Sequence, residues 1–66
     1  MRQAFEDYVS ARGGRLLRFA YLLCGDPHLG EDLVQEALAR THRRWERIEA
    51  EEPDAYVRAA IVRAGG

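Results

Sequence analysis

The groups able to do nucleophilic or metal chemistry are few: one cysteine (Cys24), one serine (Ser10), one threonine (Thr41) and two histidines, His28 and His42. None stands in a nucleophile-elbow or Cys–His context of the kind that activates an attacking group. The two histidines are separated by roughly 21 Å along one expected helix, at 1.5 Å rise per residue, too far to share a metal. A single cysteine excludes an intrachain disulfide and a thiolate cage. The acidic pairs Glu6-Asp7, Glu31-Asp32 and Glu51-Glu52 consist of neighbours that point about 100° apart on a helix, which suits solvated faces better than acid/base work. No glycine-rich phosphate cradle follows a strand. The expectation is a chain that is not an enzyme and holds no metal or cofactor.

Binding chemistry is better supplied. Asp32, Gln35, Glu36 and Ala39 fall at spacings of three, one and three, so they share one face of a helix, with Arg40 entering lower down. Acids also suit the positive end of a helix dipole, so an ordinary solvated face is the plain alternative. Further on, Arg40, Arg43, Arg44 and Arg47 crowd around Trp45. Cations favour the negative end of a helix dipole. The same group also suits a surface that tracks phosphates and offers an aromatic for stacking, although Trp45 is more readily read as core. All ten basic residues are arginine, whose guanidinium makes two-pronged contacts to phosphate and carboxylate that an ammonium cannot. The net charge of −1 hides bands: residues 26–39 and 49–54 are strongly acidic, while 1–25, 40–48 and 55–66 are basic. A banded surface can dock a protein on one side and an anion on another.

The elements that position these groups read as helices. Phe5, Tyr8, Val9, Leu16, Leu17, Ala20, Tyr21, Leu23 and Cys24 recur at three- and four-residue spacings, predicting a first helix over Arg2–Cys24. Gly13-Gly14 interrupts it at about 1 kcal/mol per glycine relative to alanine, and predicts a kink or break where another element packs close. Gly25-Asp26-Pro27 is a stop followed by a start: a glycine able to take positive φ, an N-cap, and a proline at the first helical position. A second helix is expected from Pro27 to Ile48, its inward stripe formed by Leu29, Leu33, Ala37, Leu38, Thr41, Trp45 and Ile48. After an acidic connector, Glu49–Asp54, a third helix opens at Pro53 or Asp54 and turns Tyr56, Val57, Ala60, Ile61 and Ala64 inward. Too short to stand by itself, it must lean on the other two. No alternating β-branched run predicts a strand.

These readings give an all-α fold: a compact three-helix domain, one unit over residues 1–66. A chain of this size buries only about 60% of the surface it exposes when unfolded, so its stability is marginal. The longest stretch without a charge, Phe19–Gly25, is far below the roughly 20 residues that span a bilayer. No signal-peptide pattern is present. The expected location is the cytoplasm, with no membrane partner.

The run from Gly25 to Arg40, with Glu31-Asp32-Leu33-Val34-Gln35-Glu36 at its centre and Leu16-Leu17-Arg18 upstream, resembles region 2 of bacterial RNA polymerase sigma factors of the extracytoplasmic-function type. Pro53-Asp54-Ala55-Tyr56-Val57-Arg58 is similar to the start of that domain's promoter-reading helix. The first segment is similar to a group of these factors common in actinobacteria. The resemblance covers the whole chain, with no region-4-like domain in it. It implies a transcription initiation module that docks on the clamp helices of the polymerase β′ subunit and contacts the non-template strand of the promoter −10 element. It assigns Asp32, Gln35, Glu36 and Arg40 to the polymerase, and Arg43, Arg44, Arg47, Arg58 and Arg63 to DNA. An anti-sigma factor is a further partner it allows. The chain departs from the family pattern at His42, where an aromatic is common, at Arg63, where an asparagine is common, and at Ala59 and Ala60. The alternative is a helical protein–protein module, or a regulator of the same clamp surface, without DNA binding.

Overall fold

The computed structural model describes residues 3–65, which form four helices: α1 (Phe5–Cys24), α2 (Pro27–Arg43), α3 (Trp45–Glu49) and α4 (Pro53–Gly65). No strand occurs among the described residues. The all-α expectation holds, with one helix more than the periodicity predicted. Among the described residues no helix is long and apolar enough to cross a membrane.

The α1–α2 turn follows from its three residues. Gly25 takes φ 75° and donates its N–H to the Tyr21 carbonyl at 2.7 Å, closing α1 in the left-handed conformation that glycine adopts without strain. Asp26 Oδ1 then accepts from the backbone N–H of His28 at 2.8 Å and of Leu29 at 3.1 Å. Two donors at the helix start that would otherwise lack partners are satisfied, an arrangement whose loss costs about 1 kcal/mol.

The expected break at Gly13-Gly14 does not occur. Helical structure runs through both glycines, and no neighbouring element packs close to either. The close approach lies at Gly30, which is buried; a Cβ there would stand 3.2 Å from the Tyr21 nitrogen and 3.3 Å from its Cα. Glycine is thus what lets α2 cross α1 near its end, backbone against backbone.

A second correction concerns α2, which ends at Arg43 rather than reaching Ile48. Arg44 leaves the helical region at φ −123°, ψ 25°, and α3 begins at Trp45. The change of direction turns Trp45 back toward the start of α1. Its indole N–H donates to the Gln3 carbonyl at 2.9 Å, and its ring meets Phe5 edge-on at 5.4 Å and Tyr8 at 5.2 Å. Gln3 also donates its N–H to Glu49 Oε2 at 3.0 Å. Trp45 is therefore a packing residue, as its place in the stripe predicted.

The core gathers Tyr8, Leu16 and Ala20 of α1, Leu33, Val34 and Ala37 of α2, and Val57 and Ile61 of α4. Thr41 is fully buried and satisfies its hydroxyl on the Ala37 carbonyl at 2.8 Å. Val34 adds to the expected stripe because α2 packs on both α1 and α4, which widens the face it must bury. Conversely, Leu17, Tyr21, Leu23 and Leu29, all expected inward, are exposed.

Across the fold, the buried Tyr8 donates its hydroxyl to Asp54 Oδ1 at 2.6 Å, and Arg12 Nε lies 3.8 Å from Asp54 Oδ2. Burial, and then the hydrogen bond to Asp54, push the Tyr8 phenol well above its ordinary range. The first turn of α4 is thereby tied to the first turns of α1.

Candidate functional site

The outward face of α2 carries Asp32, Gln35, Glu36 and Arg40, all exposed. Glu36 and Arg40 are one helical turn apart and form an ion pair at 3.6 Å, with both side chains more than half exposed. Such a pair adds only a few tenths of a kcal/mol to the helix, so its carboxylate and guanidinium stay available to other groups. Ala39, expected on this face with Asp32, Gln35 and Glu36, is exposed too.

Beside that face, along the α1–α2 seam, lies a hollow of about 240 Å³. Val9, Gly13 and Leu17 of α1 and Val34 and Leu38 of α2 make its apolar lining, with Glu31 and Gln35 beside them. No spacing in the sequence marks it; its one signal is Gly13, expected as a point of close packing.

At the other end of α2 the arginines separate into three places. Arg40, Arg43 and Arg44 of the α2 end meet Tyr56 and Arg63 of α4 around a cleft of about 310 Å³. A shallow groove joins Arg43 and Arg44 to Arg47, Trp45 and the Phe5–His42 pair. Arg58 sits apart with Arg12, Arg15, Phe19 and Asp54. Of the five arginines that the resemblance assigns to DNA, the structure unites Arg43, Arg44 and Arg63, keeps Arg47 adjacent, and separates Arg58. Arg40, which the sequence places both beside the acidic face and with the basic cluster, lines the cleft as well. Tyr56, counted in sequence only as an inward residue, is half-buried and lines it.

Among the described residues, Arg43, Arg44, Arg47, Arg58 and Arg63 have no carboxylate within ion-pairing distance. The cleft of Arg40, Arg43, Arg44 and Arg63 has no acidic residue in its lining, whereas Glu46 shares the groove and Asp54 stands with Arg58; guanidiniums gathered in this way make an anion-attracting field. His42 takes the packing place of an aromatic: its ring stacks on Phe5 at 4.6 Å with 17° between the planes. No cluster of three or more His, Cys, Asp or Glu able to hold a metal occurs among the described residues.

With this geometry in hand, comparison with known proteins is specific. Residues 4–64 match the family model for sigma-70 region 2. A relative named RNA polymerase sigma-E factor, from Streptomyces coelicolor, is 49% identical over 59 residues, covering 88% of this chain and 33% of the relative. One of the same name from Streptomyces avermitilis is 44% identical with the same coverage. The chain therefore spans about a third of the length of these curated relatives. No solved structure matches it at a significant level.

Proposed function

The chain belongs to the sigma-70 region 2 family, and on that premise we propose that it serves transcription initiation through two surfaces. In this reading Asp32, Gln35 and Glu36 on the outward face of α2 dock on the clamp helices of the polymerase β′ subunit. Arg43, Arg44 and Arg63, joined by Arg40 and flanked by Arg47, hold the non-template strand of the promoter −10 element. Arg58, on a different side, has the smallest part.

The observation that carries the reading is the opposite charge at the two ends of the exposed side of α2. Acidic and amide groups occupy its first half, and guanidiniums cluster at its end, where Arg43 and Arg44 have no ion-pair partner among the described residues. An acidic patch facing a basic coiled coil gives orientation and association rate more than raw affinity. Guanidiniums around Tyr56 supply phosphate contacts and a ring face, the two elements of single-strand binding. Base capture itself needs no hydrolysis, because unstacking costs only a few kcal/mol and pocket contacts offset it. An anti-sigma factor covering the same α2 face is the regulatory partner in this reading.

Two measurements test it. The double substitution Gln35→Ala, Glu36→Ala is expected to weaken binding to isolated β′ clamp helices by roughly tenfold, with unchanged helicity by circular dichroism. Unchanged affinity rejects the docking face. Binding to a single-stranded −10-like oligonucleotide is expected to fall steeply with salt. Arg63→Ala should reduce the slope by roughly 0.7, and a protein that binds clamp helices but shows no salt-dependent strand binding is a protein-interaction module alone.

A further inference from the structure

Helix α1 keeps two glycines in its middle that its own fold does not require. A Cβ on Gly13 would meet only Val9 Cγ1 at 3.9 Å, an ordinary contact, and a Cβ on Gly14 would meet nothing within 4 Å. Neither glycine has positive φ. Glycine weakens a helix interior. Among the described residues, only the Val9 side chain comes within 4 Å of where a Gly13 Cβ would stand.

That space has a definite shape. Val9, Gly13 and Leu17 follow one another at four-residue steps, so they line one side of α1. The missing side chain in the middle opens the hollow of about 240 Å³, against Val34 and Leu38 of α2. Its lining is apolar, and its polar residues are Glu31 and Gln35. Leu17 is 40% exposed there, although it is a large aliphatic residue next to the core. Asp32 and Glu36 stand exposed on the same helix as Glu31, in the acidic band of the chain.

We propose that the Gly13 hollow receives one large apolar side chain from a basic helix of the partner, the β′ clamp helix of the docking reading on which this inference rests. The side chain enters between Val9 and Leu17 as a knob enters a hole. Cationic neighbours on the partner helix then meet Glu31 directly and Asp32 and Glu36 alongside. The interface acquires the layout that concentrates binding energy, a desolvated apolar anchor within a polar rim. It also extends from α2 onto α1, and gives Gly13 its reason: any side chain there takes the anchor's place.

The test fills the hollow from within. Gly13→Leu replaces a poor helix former with a good one, so the melting temperature is expected to hold or rise. Affinity for isolated β′ clamp helices is expected to fall by about tenfold or more, with single-strand binding unchanged. Gly13→Ala, whose added methyl fits without strain, is expected to show a smaller loss and guards against misfolding of the leucine variant. Gly14→Ala brings a similar helical gain outside the hollow and is expected to leave affinity unchanged. Wild-type affinity in Gly13→Leu, while Gln35→Ala with Glu36→Ala still weakens binding, overturns the hollow and leaves the docking reading standing. No loss in either variant overturns both. An equal loss from Gly14→Ala also rejects the hollow as the cause.

Discussion

Two glycines on the α1–α2 seam do opposite things. At Gly30 the helices press together so closely that a Cβ would meet the backbone of Tyr21 at 3.2 Å. At Gly13, further along the same seam, the helices leave a hollow and a Cβ would meet only an ordinary neighbour at 3.9 Å. The first glycine is required by the fold. The second is tolerated by it at a cost, and its benefit lies outside the chain. A glycine inside a helix therefore carries no fixed meaning; what an added methyl would touch decides whether it serves packing or an incoming partner.

Substitutions along the seam can break or sharpen this contrast. The largest effect belongs to its far end, where the aromatic group closes the domain. Trp45→Ala should cost about 3 kcal/mol, the low end for aromatic truncation because the ring is only partly buried, measured by urea denaturation. A full-strength Trp45→Ala protein would mean that Trp45 is not part of the core. Next comes Gly30→Ala, in which the new methyl must push against backbone; a loss of about 2 kcal/mol is expected from overpacking. If Gly30→Ala melts with the wild type, the two glycines are equivalent and the contrast is gone.

Tyr8→Phe is expected to cost about 1 kcal/mol near neutral pH by removing the hydrogen bond to Asp54. Its pH dependence has a defined sign. The phenol is held above its ordinary value in the folded state. Its contribution is therefore complete below the unfolded tyrosine value of about 10 and is lost as pH rises beyond it. Denaturation of wild type and Tyr8→Phe should differ at pH 7 and converge in strong alkali. A constant gap would remove the raised phenol from the account. The smallest effect runs the other way: Gly13→Ala should stabilise the domain by about 0.5 kcal/mol, since the methyl fits and the unfolded chain loses freedom. A loss of stability there would show that Gly13 serves the fold after all.

Much of this architecture was legible in the sequence where the determinants are local. Gly25, Asp26 and Pro27 specify a stop, a cap and a start within three residues, and the structure uses each for that purpose. The inward face of α4 was legible because it meets its neighbours with one regular stripe, Val57 and Ile61 at its centre. The break at Arg44 was not, since Arg43-Arg44-Trp45 contains neither glycine nor proline. It accompanies contacts with the distant start of the chain, the indole bond to Gln3 and the rings of Phe5 and Tyr8. The exposure of Leu17, Tyr21 and Leu23 was hidden for a related reason: periodicity marks an apolar side but not whether a partner within the chain covers it.

For the candidate site, the outward face of α2 was readable because residues three and four apart on one helix must be neighbours. The basic surface was only half readable. Arg40 and Arg63 meet across two helices, while Arg58, one turn and a residue before Arg63, looks toward α1. Which arginines share a cleft depends on the packing of α4 against α2, and spacing along the chain does not encode that.

The hydrogen bonds that Gln3 makes to Trp45 and Glu49 have a practical consequence. The chain's one tryptophan sits where the opening residues are stitched onto the short third helix, so its emission is a built-in optical gauge. A red shift without loss of the far-ultraviolet helical signal would register the beginning of the chain lifting away while the rest stays folded, with no label attached.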